Sequence, residues 1–225
     1  NIINWSAFAP GLSEKQDWQN WALDQKSIVV DLSLTPSVDF LPPMYRRRLS
    51  QLTKMSLKVA HECIAGNPEY QNIESVFASR YGELGQTLKL LRSLFDQEAL
   101  SPAGFSLSVH NTAAGLYSIT NQNIAPYTAI AASELTFEAA LIEAIGRLQN
   151  NKYILLVIGE ENVAELSDFE PYAVAFLLGK EHKIKIIPSA KSNVGSGNMA
   201  LNFLKWFLKN DDVFSTNLYQ MKRNV

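Results

Sequence analysis

Residues 109–144 read VHNTAAGLYSITNQNIAPYTAIAASELTFEAALIEA, and three elements follow one another in them. Residues 111–120 have a helical pattern, Pro126 closes a turn, and residues 127–132 form a short strand-like run. From Leu135 onward, Phe137, Ala139, Ala140, Leu141, Ile142, Ala144 and Ile145 leave almost no polar face before Arg147. A helix that is apolar nearly all round is predicted to be buried on all sides. Ser133 and Glu134 stand at the junction between strand and helix. A carboxylate is favoured there, because free N–H groups and the helix dipole both attract negative charge.

The same alternation continues on both sides. Ile2–Phe8 reads as a strand, Pro10-Gly11 as a turn, and Ser13 as the cap of a helix carrying Trp18 and Trp21. Residues 28–34 are apolar and β-branched, which predicts a strand ended by Pro36. Pro42-Pro43 opens a predicted long helix over 42–65, stopped by Gly66-Asn67-Pro68. Its apolar positions Leu49, Leu52, Met55, Val59 and Cys63 make one buried stripe. Strands are expected at 75–79, 153–158, 172–178 and 184–187, and helices at 85–94 and 199–208. Strands alternating with helices predict an α/β fold, layered α-β-α, with a mixed, mostly parallel sheet. No internal repeat stands out, so a single folded unit is the simpler organisation.

Composition narrows the function. The 225 residues are 47% hydrophobic and 19% charged, with a net charge of −2, which speaks against nucleic acid as a partner. Apolar runs such as 154–158 are too short to span a bilayer, and no secretion-signal pattern opens the sequence. The single cysteine, Cys63, excludes an internal disulfide and suits a reducing cytoplasm. It lies mid-pattern in a helix and reads as a buried structural thiol. Ser106, Ser108 and His110 alternate in FSLSVH, and His61 is a further candidate base, but no GxSxG accompanies them. No HExxH, CxxC or paired-histidine spacing occurs, so neither metal nor cofactor is expected. Gly195-Ser196-Gly197-Asn198 reads as a flexible helix start rather than a phosphate cradle, because its lysine is not in the P-loop place.

The opening stretch resembles β-ketoacyl synthases without a gap. Asn111, Ala114-Gly115, Pro126, residues 128–133 and Ala144 match that family's motifs in order. Residues 42–65, VFASRYG at 76–82 and YAVAFLLGK at 172–180 extend the likeness over residues 1–190. SPAGFSLSVHNTAAGLYSI is most similar to the short β-ketoacyl synthase-like N-terminal proteins of aryl polyene and related type II fatty acid or polyketide systems. There the corresponding subunit is regarded as a chain length factor beside a competent ketosynthase. The resemblance implies a thiolase-like fold over residues 1–190, with 191–225 as a C-terminal helical extension packed on the same domain. In the enzymes the strand ends in Ala-Cys; here the pair is Ser133-Glu134, which puts Glu134 at the nucleophile position. A glutamate cannot replace a thiolate in carrying a thioester. No histidine follows His182 and no Gly-Phe-Gly occurs, so the family's later catalytic histidines and gating loop have no counterpart. Classical chain length factors usually carry glutamine at this position, whose amide donates a hydrogen bond where a carboxylate only accepts.

By this resemblance the chain is expected to form a heterodimer with a full-length β-ketoacyl synthase in the cytoplasm. The contact would run through the strand at 127–132, carrying Tyr127 and Ile130, and the helix at 111–120. The acyl carrier protein would be met through that partner. Leu107, Ser108, Thr112 and Leu116 are the candidates for lining the partner's acyl tunnel. Arg46, Arg47 and Arg48 read as a solvated cationic helix start. The apolar helix after Glu134 needs a cover, supplied either by residues 188–225 or by the partner. Two alternatives stand beside this one: a purely structural stabiliser of the ketosynthase, or an independent enzyme using Glu134 as general base.

Overall fold

The computed structural model describes residues 1–29, 31, 33–163, 170–180, 184–188 and 198–223. Along the chain these form β1 (Ile2–Phe8), α1 (Lys15–Ala22), α2 (Pro43–Arg46), α3 (Gln51–Ile64), β2 (Glu74–Ala78) and α4 (Leu84–Phe95). Then come α5 (Pro102–Ser106), α6 (Thr112–Thr120), β3 (Tyr127–Ile130), α7 (Thr136–Arg147), β4 (Tyr153–Glu160) and β5 (Tyr172–Gly179). The last are β6 (Ile184–Pro188), α8 (Met199–Lys209), β7 (Val213–Ser215) and β8 (Tyr219–Arg223).

The main sheet has the order β1-β5-β4-β2-β3. β2 pairs in parallel with β3 and β4, while β5 runs antiparallel to both β4 and β1. Four strands therefore share one direction, and the sheet is mixed and mostly parallel. β4 and β5 are apolar continuously rather than alternately because both of their faces are covered. Ile154, Leu156, Ile158, Val174 and Phe176 face a core shared with α7 and α8. Leu155, Val157, Ala173, Ala175 and Leu177 face a second core shared with α3 and α6. The result is the α-β-α layering.

The cover over α7 comes from within the chain. Phe203 of α8 is buried, with its ring centroid 5.3 Å from Phe137 of α7, 5.1 Å from Phe176 of β5 and 5.4 Å from Phe214 of β7. A second, antiparallel sheet of order β6-β8-β7 completes this side. Residues beyond 190 therefore contribute two strands besides a helix, and β8 pairs with β6 across the expected boundary at 190.

Four local expectations are corrected. Residues 28–34 form no strand where they are described: Asp31 accepts from the backbone N–H and the hydroxyl of Ser33, and this tight turn wins over the β-branched run. The long helix over 42–65 is two helices, because the Ser50 hydroxyl accepts the Thr53 N–H at 2.9 Å and starts α3 afresh. α1 is capped by Glu14 rather than Ser13, with the Asp17 carboxylate accepting the N–H groups of both. α7 is not buried on all sides: Ile142 is 49% exposed.

Candidate functional site

The carboxyl ends of β2, β3 and β4 lie side by side, the edge at which α/β sheets build their sites. The loop after β2, residues 79–83, lies at this edge, and buried glutamates hold it and the start of α4. The Ser79 hydroxyl and the Arg80 N–H donate to opposite oxygens of Glu160, at 3.0 and 2.6 Å. The Ser79 hydroxyl oxygen also accepts the Gly82 N–H at 2.9 Å, and His110 Nε2 donates to the Ser79 carbonyl at 2.8 Å. Gly82 sits at φ +56°, where a Cβ would come 2.6 Å from the His110 ring, so the turn needs a glycine. Glu83 accepts from Thr53 Oγ1 at 2.5 Å and Ser50 Oγ at 2.9 Å; Glu161 accepts from the Gly85 N–H at 3.0 Å. Burial pushes Glu83 and Glu160 up to about 7 and raises Glu161 as well.

Ser133 begins the elbow after β3 in the left-handed region, at φ +52°. Thr136 steadies it, its Oγ1 accepting the Ala132 N–H at 3.0 Å and donating to the Ser133 carbonyl at 2.7 Å. Glu134 lies in the middle of a short 3-10 turn, Ser133–Leu135, and its side chain is 65% exposed. Its two oxygens take the two terminal nitrogens of Arg80, one at 2.9 Å from Nη1 and the other from Nη2. A bidentate guanidinium therefore occupies the carboxylate, which would have to leave it to act as a base. Cys63 offers no alternative nucleophile: it is buried in α3, and desolvation pushes its thiol up to about 12.

The remaining candidates divide between the two faces of the sheet. Leu107 is half-buried and lines a groove of about 380 Å³ between α4 and α5, with Arg48, Lys89 and Leu90. Ser108 turns its hydroxyl to the Phe105 carbonyl at 2.8 Å. Thr112 is buried, and its hydroxyl lies 2.7 Å from the Val109 carbonyl and 3.1 Å from that of Leu107. Leu116 belongs to the core under α6. The Tyr127 hydroxyl accepts from Asn111 Nδ2 at 3.4 Å, whereas Ile130 packs against the opposite core, with α7. Leu107, Ser108, Thr112, Leu116 and Tyr127 thus gather around α6, and Ile130 does not join them.

β3 pairs with β2 alone among the described residues, so its outer edge is open. Helices pack on both of its faces, and each shows an exposed isoleucine, Ile119 of α6 (62%) and Ile142 of α7. Ile124, just before the strand, is 89% exposed. Arg80, Glu83, Glu160 and Glu161 carry no motif in the sequence that marks them as site residues. Two acidic residues directly after an apolar strand run were the available signal for the last pair. His182 and the glycine stretch at 195–197 lie outside the described residues. Among the described residues no cluster of three or more metal-ligating side chains occurs, and no helix is long and apolar enough to cross a membrane.

The comparisons agree with this architecture. The family model described as "Beta-ketoacyl synthase, N-terminal domain" matches residues 18–218. The chain is similar to one in the solved complex of the ketosynthase ApeO with its chain length factor ApeC from Xenorhabdus doucetiae, at 26% identity and TM-score 0.84, covering 99% of this chain and 98% of that one. The ishigamide ketosynthase/chain length factor matches at 16% identity and TM-score 0.65, over 84% of this chain and 67% of that chain. A β-ketoacyl synthase from Burkholderia phymatum STM815 matches at 10% and 0.60, over 94% and 70%. The last two share the fold. No curated protein matches the sequence. The β2–β3–β4 edge, the elbow leading into a covered α7 and the family match together lead to one conclusion: this chain has the thiolase-like fold and belongs to the β-ketoacyl synthase N-terminal domain family.

Proposed function

We propose that this chain is a non-catalytic, chain-length-factor-like subunit that pairs with a competent β-ketoacyl synthase and shapes its acyl tunnel during carrier-protein-linked elongation. The elbow carries the argument. Where the family resemblance puts a nucleophilic cysteine there is Glu134, already committed to Arg80, and the one thiol of the chain is buried elsewhere. A site so arranged has no group to accept an acyl chain from a thioester. The near end-to-end match to a chain of a ketosynthase–chain length factor complex supports a role beside a ketosynthase.

The partner binds the acyl carrier protein, loads its own cysteine and performs the decarboxylative condensation. The open β3 edge and the exposed isoleucines of α6 and α7 form the contact, adding one sheet to another. Leu107, Ser108, Thr112 and Leu116, gathered around α6, close the far end of the tunnel. Co-expression with the ketosynthase of its own gene neighbourhood tests the pairing: a one-to-one or two-to-two complex is expected by size-exclusion chromatography with light scattering. Leu107→Trp then tests the tunnel. Shorter products from an intact complex support chain-length control, because a packed wall does not absorb an indole without loss of volume. Unchanged product length from an intact complex means a stabiliser instead. Activity from this chain alone, abolished by Glu134→Gln, would make it an enzyme.

A further inference from the structure

β3 is geometrically the weakest strand of the main sheet. It has four residues and no fully buried side chain, and among the described residues it has one hydrogen-bonded neighbour. Both of its ends are nevertheless tied down, each by an arginine from another element. At the amino end Arg147, from the last turn of α7, donates from Nη2 to Thr128 Oγ1 at 2.5 Å. The same guanidinium donates from Nη1 to Glu74 of β2 at 2.7 Å and from Nε to Glu143 of α7 at 2.7 Å. One side chain thereby joins α7, β2 and β3. At the carboxyl end Arg80, leaving β2, grips Glu134 in the elbow that leaves β3. Glu160 of β4 fixes the Arg80 backbone at 2.6 Å, so the second clamp joins β2, β3 and β4.

We infer that Arg147 and the Arg80–Glu134 pair are positioning residues that pre-order β3 as a docking edge for a strand of the partner ketosynthase. The inference rests on the pairing proposed above and gives Glu134 a task that needs no chemistry. Adding a strand to a loose edge requires ordering it first, and that entropy is subtracted from the affinity. An edge already held at both ends removes that cost. Arginine suits the task because its planar fork meets two or three acceptors at fixed angles, which a lysine ammonium does not.

Hydrogen exchange on the isolated chain tests the clamp without the partner. In Arg80→Ala and Glu134→Ala the β3 amides bonded to β2 should exchange about two- to fivefold faster, the scale of an exposed charged pair. The core amides of β4 and β5 should be unchanged. The double variant should be no worse than either single one, and the swap Arg80→Glu/Glu134→Arg should recover part of the protection. Arg147→Lys, which keeps the charge and loses the fork, should loosen Thr128 in the same way without unfolding α7. Affinity for the ketosynthase should fall by a similar factor in each variant. Unchanged β3 exchange, or additive effects of Arg80→Ala and Glu134→Ala, would overturn the clamp whatever the ketosynthase does. Faster exchange in a chain that never binds the ketosynthase would overturn the partner assignment and leave the clamp standing.

Discussion

Glu83→Gln should stabilise this protein at pH 8 relative to pH 5. Glu83 is 3% exposed, and burial raises its carboxyl from 4.5 to about 7, with the negative charge of nearby Glu161 adding to the shift. Below pH 4.5 the carboxyl holds its proton in both folded and unfolded chains, and folding carries no titration penalty. Between 4.5 and 7 the unfolded chain releases the proton while the folded one keeps it, so stability falls as the pH rises. Above 7 both are ionised and the penalty is complete. A rise from 4.5 to about 7 corresponds to about 3 kcal/mol, of which roughly 2–3 kcal/mol develops between pH 5 and pH 8. Glutamine does not titrate, and its carbonyl oxygen still accepts from Thr53 and Ser50.

The assay is urea unfolding of both proteins at the two pH values, followed by tryptophan fluorescence. The two-pH difference between variant and wild type reads Glu83 together with its coupling to Glu161, the remaining titrating groups being common to both. The variant should gain roughly 2–3 kcal/mol on wild type in going from pH 5 to pH 8. An equal difference at both pH values would refute the argument, since it would mean that Glu83 titrates alike in folded and unfolded chains. A variant that loses ground at pH 8 would reverse its sign and make the hydrogen bonds from Thr53 and Ser50 worth more than the desolvation.

Phe203→Ala removes the ring on which Phe137, Phe176 and Phe214 converge, and should cost about 3–5 kcal/mol in a denaturant titration. Asn123→Ala breaks a buried bridge in which the side chain donates to the Ile73 carbonyl at 2.9 Å and accepts the Ala125 N–H at 2.9 Å; a loss of about 1–3 kcal/mol is expected by thermal unfolding. Ile119→Glu and Ile142→Glu alter exposed positions, so each should change the stability of the isolated chain by less than about 0.5 kcal/mol. Both should abolish co-purification with the ketosynthase.

The main sheet was legible because its inner strands are unbroken apolar runs with both faces covered. The α3 stripe was legible because Leu52, Met55, Val59 and Cys63 are all buried. β8, with the sequence YQMKR, was not: it buries only Tyr219 and Met221, too short an alternation to stand out among polar neighbours. The opposite failure occurred at 28–34, where β-branched residues suggested a strand but no strand pairs with it among the described residues. Ser50 was a capping residue in plain view, hidden by the apolar periodicity that continues across it to Leu49. At the site, the place of Glu134 was readable from the elbow, whereas its partner was not. Arg80 lies 54 positions away, and Glu160 reaches Ser79 across 81. Such pairs arise from strand order, which the local pattern does not contain.

The two edges of the main sheet are treated differently, and that difference favours β3 as the docking edge. An open strand edge invites unwanted pairing unless something covers it. On β1 the cover is internal: α1 packs beside the strand, and the buried Trp18 indole donates to the Ala7 carbonyl at 2.9 Å. On α7 the cover is internal too, through Phe203 and Phe214. This chain has therefore used α1, α8 and the small sheet to close surfaces that would otherwise need a partner. Among the described residues β3 has no such cover. It is instead held at both ends by Arg147 and by the Arg80–Glu134 pair, the arrangement that the docking proposal requires. Covering β3 would prevent pairing, and leaving it unclamped would weaken pairing. The arrangement seen avoids both, so changes at Arg80, Glu134 and Arg147 should act on partner affinity before they act on the fold.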